Sequence, residues 1–419
     1  MRKLGVLGFI VIYLFCLSQN SFASATTQVD ALIKKLVDKG ILNEKEAEQI
    51  KGEIVSDEKT LREANNKTDI PQWVQDIKLS GDFRLRYDTK HTKTEDDNER
   101  DVSRGRIRMR LGLDTNVNDK VKVGIGIATD EGKPRGNNQS FQNTFSQVGT
   151  VLNYAYAEYK PNDRLKLTGG KMKNPIWEPF EFLWDVDITP EGGAIQMSHK
   201  LSDAAKLFLT LTAFELADIS TNQADPFMYV AQGGIEGDIR EKMYYKLAGM
   251  FNGMDNILKT PLANRSSPAT NTTSAGQYVS HYNTAIVGAE LGYNDPFGEK
   301  FPIYIPQIGI FGSYADNPDP SNKNIAWMLG GYMGNSKVNS RGAWKITGMY
   351  RYIGADSFPD TFPDSDFYGG ATDVKGYKNI LEIGLAKNVS FKINYYRTER
   401  IKATKAPESR LQTDLNFKF

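Results

Sequence analysis

Cysteine is all but missing from this 419-residue chain. Its single copy, Cys16, lies in an apolar run near the start, so neither a disulfide framework nor thiolate chemistry is available to the rest. Histidine is nearly as scarce, and His91, His199 and His281 are too scattered to suggest a metal site. The sequence points to no metal and no cofactor. Long apolar stretches are also lacking after residue 17: hydrophobic residues make up 40% and the mean hydropathy is −0.47, low for a helical membrane protein. Nor does one sign of charge prevail, with 52 basic against 51 acidic residues, so no bulk charge points to nucleic acid. No phosphate-cradling glycine loop or nucleophile elbow sits in a strand-to-helix context. Ser198 beside His199 is the one pair a hydrolase could draw on, and Glu178 and Glu181, three apart in an acidic loop, need no glycosidase explanation. Nothing in the chain asks for an enzyme.

What is present begins with a leader. Leu4 to Leu17 follows Arg2 and Lys3 and precedes Ala23-Ser24-Ala25, the order of a secretory signal peptide over residues 1–25. Tyr13-Leu14-Phe15 lacks the small residue that a lipoprotein signal needs beside its cysteine. Residues 26–68 read as a short helical extension, helix-turn-helix or coiled-coil-like. Thr27 with Asp30 caps a first helix that Gly40 ends, and Asn43 with Glu46 caps a second bearing Ala47, Ile50 and Ile54. Its apolar stripes are narrow, so the pair either associates with its own copies, the barrel mouth or the cell wall, or serves as a mobile periplasmic tether. Residues 65–71 form the linker into residues 69–419.

From Ile77 onward the period changes to two. In IKLSGDFRLRY, Ile77, Leu79, Gly81, Phe83, Leu85 and Tyr87 share one face, and Lys78, Ser80, Asp82, Arg84 and Arg86 the other. Segments of about ten residues with this alternation recur to a total of about sixteen, the length and pattern of tilted membrane-crossing strands. The segments at 150–160 and 325–334 fit either register, and Pro306 falls inside another. Long connections (88–102, 131–149, 173–191, 216–226, 252–282, 315–324, 354–377, 399–409) alternate strictly with short turns, as in outer-membrane barrels. The closing segment, LQTDLNFKF, is a strand that pairs with the first in a closed barrel and leaves no free edge. The expected fold is all-β: a transmembrane, antiparallel, up-and-down barrel of about sixteen strands, wide enough for an aqueous lumen.

Magnitudes settle which face is inside. Arg104, Arg106, Arg108 and Arg110 alternate with small or apolar residues and share a parity with Arg84 and Arg86. Toward lipid each would cost about 2 to 4 kcal/mol, so six would cost roughly 12 to 24. That matches or exceeds the roughly 5 to 15 kcal/mol by which a domain is stable. Toward water, neighbours about 6.8 Å apart on one strand repel by only about 0.6 kcal/mol. The arginines therefore face the lumen, with Lys122, Lys166, Lys345, Arg351 and Lys392 on the same parity. The connection Lys173 to Glu191 is both acidic and aromatic, with Trp177, Phe180, Phe182 and Trp184 among Glu178, Glu181, Asp185 and Asp187. Folded inward, it would set its carboxylates against the arginine row and narrow the pore; otherwise it packs on neighbouring loops or a second subunit.

The helical pair LIKKLVDKGILNEKEAEQI, the strands GDFRLRY and RGRIRMRLGL, the pair NYAYAEYKPNDRLKLTGGKMKNP, the segment ITPEGGAIQ and the terminal LNFKF resemble the family of putative porins of Gram-negative outer membranes. The likeness covers nearly all the chain after the leader. It implies a trimeric, sixteen-stranded diffusion channel in outer-membrane lipid, with the third loop folded inside. Leu415, Phe417 and Phe419 look like the signal read by the barrel-assembly machinery. A more distant similarity is to phosphate-selective porins, from which the acidic third loop departs. The leading expectation is thus passive passage of small hydrophilic solutes and ions. The rivals are an adhesin or receptor with a plugged lumen, and an envelope tether acting through the helices.

Overall fold

The computed structural model describes residues 72–93, 98–130, 132–141, 144–219, 224–258, 262–266, 269–298, 304–402 and 406–419, with residues 37, 43, 45–50, 52 and 53 of the preceding segment. The leader, the Thr27 cap, Gly40 and the linker at 65–71 lie outside them. The chain divides into two units, Met1–Pro71 and Gln72–Phe419. In the first, Asn43 and Glu46 cap reciprocally: the Glu46 N–H donates to Asn43 Oδ1 at 2.9 Å and the Asn43 N–H to Glu46 Oε2 at 2.8 Å.

The second unit is a barrel of sixteen antiparallel strands: β1 (Lys78–Lys93), β2 (Glu99–Asn116), β3 (Val121–Thr129), β4 (Thr150–Asn162), β5 (Leu165–Lys171), β6 (Glu191–Ser202), β7 (Ala205–Glu215), β8 (Phe227–Ile239), β9 (Met243–Asp255), β10 (Thr284–Asn294), β11 (Gln307–Asp316), β12 (Ile325–Gly334), β13 (Trp344–Ile353), β14 (Val374–Ala386), β15 (Val389–Arg400) and β16 (Glu408–Lys418). Each pairs with the next, and β16 returns to β1 from Asp82↔Lys418 to Thr92↔Glu408, so the sheet closes as expected. The exposed side chains of β12 are apolar, as at Leu329 (63%), and in the middle of β1 Leu85 and Tyr87 are exposed whereas Arg84 (9%) and Arg86 (6%) are buried. No helix among the described residues is long and apolar enough to cross a membrane.

Two expectations need correction, and one open choice is settled. First, the connection placed at 88–102 is mostly strand: β1 and β2 stay paired out to Lys93↔Glu99. Polar residues there occupy both faces, so the hydrophobic alternation stops while the backbone ladder continues. Second, loop lengths do not alternate strictly. The turns at 295–306 and 335–343 are longer than the opposite connection at 317–324. Pro296, Pro302 and Pro306 fall in the first of these, and a residue without an N–H cannot extend a ladder, so β11 starts just after Pro306. Third, β4 uses both of its possible registers. The pairing jumps from Gly126↔Tyr154 to Ile127↔Leu152, and this bulge at Asn153 exposes Leu152 while Tyr154 and Tyr156 stay buried.

The interior holds an apolar core of its own. Phe182, Leu183 and Trp184 from the connection 172–190 (loop 3) and Phe358, Phe362 and Phe367 from 354–373 (loop 7) cluster with Phe214, Met228 and Met250 of the wall. Loop 7 is buried almost throughout, and its bonds to the connection 256–283 (loop 5) centre on Asp360, Asn271 and Asp356. The Asp360 carboxylate accepts from the Arg265 fork at 2.8 and 3.2 Å and from the Thr270 N–H at 2.6 Å. The Asn271 amide donates to the carbonyls of Ala355 and Phe358 at 2.6 and 2.8 Å, and Asp356 accepts from Thr272 at 2.6 and 2.7 Å. From the connection 130–149 (loop 2), one guanidinium, Arg135, donates to the carbonyls of Asp360, Pro363, Gly370 and Asn264 at 2.9–3.2 Å. Gly370 is in the left-handed region at φ +76°, and a side chain there would strike Arg135.

Candidate functional site

The charged wall is built by β1, β2 and β16, whose register sets guanidinium and carboxylate side by side. Asp82 pairs with Arg110 and Asp88 with Arg104 across β1–β2, and Arg86 with Asp414 across β1–β16. Arg86 makes a two-pronged contact to Asp414 at 2.6 and 2.8 Å and a third bond to Asp366 of loop 7 at 2.9 Å. Asp88 takes the Arg410 fork at 2.8 and 2.9 Å and the Arg104 fork at 3.0 and 3.1 Å, with Arg106 at 4.0 Å. Asp82 accepts from Arg108 at 2.8 Å and Arg110 at 2.6 Å. Arg84 bonds the Asn138 side chain of loop 2. Buried charges persist only when paired and hydrogen-bonded, and the wall supplies most of its own counter-charge.

Loop 3 reaches this wall through Lys173, 3.9 Å from Asp114 of β2, and reaches the arginines through Asp187. Asp187 lies 3.5 Å from Arg108 and 3.0 Å from Arg110. The other loop 3 acids turn elsewhere. Glu181 meets Lys378 at 2.9 Å, its carbonyl accepts from Arg351, and Lys378 also meets Asp364 at 2.6 Å. Asp185 accepts from the Ser365 N–H at 2.8 Å, and its own N–H donates to the Phe362 carbonyl at 2.7 Å. Glu178 keeps a buried carboxylate oxygen with no partner among the described residues. Farther round the barrel, Lys122 sits 3.6 Å from Asp114 and Lys166 3.4 Å from Glu158. At the seam, Leu415 and Phe417 pair with Leu85 and Phe83, and Phe419 exchanges backbone bonds with Gly81 at 2.7 and 3.0 Å.

Loop carboxyls respond to these surroundings. Burial pushes Glu178 up to about 8, partly checked by the N–H groups of Trp184, Phe182 and Leu183. Burial and then Asp364 raise Glu181; burial and then Glu181 raise Asp185 well above the carboxylate range. For Asp364 burial also pushes up, but Lys378 and Arg351 outweigh it and hold the group at about 2. Asp366 lies far below its ordinary range because Arg410 and Arg86 overcome its burial. Oxygens of Glu181, Asp185 and Asp364 lie within 4.8 Å of one another, a spacing a metal ion could use, yet Lys378 already bridges two of them. The cluster is an ion-pair network.

Loop 3 also divides the space beside it. Asn174, Ile176 and Glu178 line a cavity of about 560 Å³ with Asp82, Arg110 and Asp187. Pro175 and Trp177 line another of about 430 Å³ with Lys166, Lys206 and Lys246. Sequence reasoning missed Asp360, Asp364 and Asp366, although loop 7 carries the same mixture of Asp and Phe that singled out loop 3. It also missed Asp82, Asp88 and Asp414 as partners of the arginines, a pairing that only the register reveals.

Sixteen antiparallel strands closed on themselves, apolar outside and charged within, define a membrane-spanning barrel of the outer-membrane channel class. The family model described as putative porin matches residues 41–102, 91–313 and 305–419, and the chain belongs to that family. Family and fold together place it in the bacterial outer membrane as a porin channel. Among solved structures it is similar to Pseudomonas putida OprB in a high-pH structure, with 10% identity over 83% of this chain and 95% of that one and a TM-score of 0.53. A triple mutant of the Rhodopseudomonas blastica porin gives 13% identity, 82% and 100% coverage and a TM-score of 0.43. No curated protein matches in sequence.

Proposed function

We propose that the barrel is a water-filled passage for small hydrophilic solutes and ions, in which the arginines of β1 and β2 face the acidic side of loop 3 and bias ion flow. The observation that carries this reading is the contact of Asp187 with Arg108 and Arg110 at the rim of a 560 Å³ cavity lined by charged groups. Residues 1–25 act as a cleaved leader, residues 26–68 as a periplasmic extension that contacts the cell wall, and three copies assemble. Leu415, Phe417 and Phe419 engage the barrel-assembly machinery. Planar-bilayer recording tests the passage: purified protein should give discrete conductance steps, and their absence would remove it. Replacing Arg106, Arg108 and Arg110 together by Gln should move the reversal potential toward cations. An unchanged potential would take these residues out of the conduction path.

A second reading draws on loop 7, which is buried almost throughout and bonded to loop 5. It makes the chain a receptor or adhesin with a closed lumen. Conductance separates the two.

A further inference from the structure

The cavity on the Trp177 side of loop 3 has a composition of its own. Five basic residues line it, Lys160, Arg164, Lys166, Lys206 and Lys246, against Asp163 and Glu236. The lysines are organised in pairs about single carboxylates: Lys206 and Lys246 share Glu236 at 3.1 and 2.6 Å, and Lys160 and Lys166 share Glu158 at 3.1 and 3.4 Å. Arg164 makes no ion pair among the described residues. An ammonium has three donors, so each shared lysine keeps capacity for another acceptor, and counting Glu158 the group still carries two more cations than anions.

Beside these cations lie two flat apolar faces. Lys246 Nζ sits 4.9 Å from the Trp177 ring centre and 4.6 Å from that of Phe208. Both rings are fixed. The Trp177 backbone is locked to Gln232 in both directions, N–H to Oε1 at 2.9 Å and Nε2 to carbonyl at 2.7 Å. Phe208 lies against Gly234, where any side chain would run into the ring. The cavity on the opposite side of loop 3 mixes both signs, with Arg110 and Lys173 among Asp82, Glu178, Glu181, Asp185 and Asp187, and so lacks this excess of cations.

From this juxtaposition we infer that the lysine-rich cavity binds small flat organic anions, an aromatic carboxylate being the simplest, with the carboxylate on Lys246 and Lys206 and the ring against Trp177 and Phe208. A neutral sugar would leave the excess positive charge unused. Phosphate would leave both rings unused and would stay better hydrated in bulk water. The inference names the solute class for the passage proposed above and rests on that reading.

Calorimetric titration of the detergent-solubilised full chain with sodium benzoate, acetate and phosphate tests it. Benzoate should bind at least about tenfold more tightly than either other anion. Lys246→Gln should weaken benzoate by about tenfold or more and Lys246→Arg should largely restore it. Phe208→Leu should weaken benzoate and leave phosphate unchanged. Heat-modifiable migration on gels checks that each variant is folded, and Lys206→Gln replaces Lys246→Gln if that one is not. Equal binding of phosphate, no binding of benzoate, or a folded Lys246→Gln with unchanged affinity overturns the inference. Conductance in potassium chloride on the same preparation keeps the two ideas apart: steps without benzoate binding sink this inference alone, and benzoate binding without steps sinks the passage while the binding site stands.

Discussion

Loops 3 and 7 have similar ingredients, aspartates and large aromatics, and both contribute to the apolar interior cluster, yet they are held in opposite ways. Loop 7 has its polar groups answered nearly one for one: Asp360 by Arg265 and backbone N–H groups, Asp356 by Thr272, Asp364 by Lys378 and Arg351. Loop 3 has carboxyls to spare, with Glu178 partly unanswered and Asp185 crowded by Glu181. The difference teaches that acidic and aromatic composition brings a segment inside, while the supply of donors decides whether it is scaffold or adjustable surface. A buried carboxylate with a full set of donors stays charged and fixes its neighbours; one without them keeps its proton.

The sharpest way to break the comparison is Asp360→Ala. If loop 7 is scaffold, losing this hub strands Arg265 and two backbone donors and should cost about 3 to 5 kcal/mol, read as a lower unfolding temperature in detergent. A loss under about 1 kcal/mol would make loop 7 no firmer than an ordinary surface loop. Lys378→Met comes next. It takes from the Glu181 carboxylate its ion pair and leaves Asp364 with Arg351 as its paired cation, and should cost about 3 kcal/mol; adding Asp364→Asn should recover part of that. Purely additive losses would show that Lys378 and Asp364 do not act together.

A third measurement concerns loop 3 and pH. Glu178 is raised from an ordinary 4.5 to about 8, so the folded state holds its proton more tightly than the unfolded one. Its contribution is therefore complete below about 4.5 and fades as pH rises through 8. Proteolysis within loop 3 should accelerate across that window, and Glu178→Gln should flatten the profile. Asp364, held at about 2, works in the reverse sense, giving support that is lost only as pH falls from 3.8 through 2. Loop 7 should therefore keep its protection at pH 9. The smallest effect is expected from Arg135→Lys, which keeps the charge but cannot reach four carbonyls at once and should cost about 1 to 2 kcal/mol. No measurable change would remove loop 2 from the scaffold.

Much of the barrel was legible because period-two alternation is a local property. GDFRLRY and RGRIRMRLGL show it without any partner, and the cost of arginine in lipid orients both strands. What escaped depended on contacts distant in sequence. Asp88 meets Arg410 and Arg86 meets Asp414 because the first and sixteenth strands close in one register, and nothing near either residue announces it. The extended β1–β2 hairpin escaped because its polar residues alternate with other polar residues. Loop 7 was within reach, since Asp356, Phe358, Asp360, Phe362, Asp364 and Phe367 carry the signal found in loop 3, although it has no tryptophan.

Fifteen of the sixteen strand pairings join chain neighbours, and one joins residues 82 and 418. Each of the fifteen can form as a hairpin soon after its own residues are present, whereas the sixteenth waits until all the others have curled the sheet round. Until that moment two rows of unanswered N–H and C=O groups, on β1 and on β16, are open to any strand that comes by. The interval before the ring shuts is thus when this chain is most prone to clump with its own copies. A substitution that spoils the fit of Phe419 against Gly81 would lengthen that interval while leaving every hairpin intact.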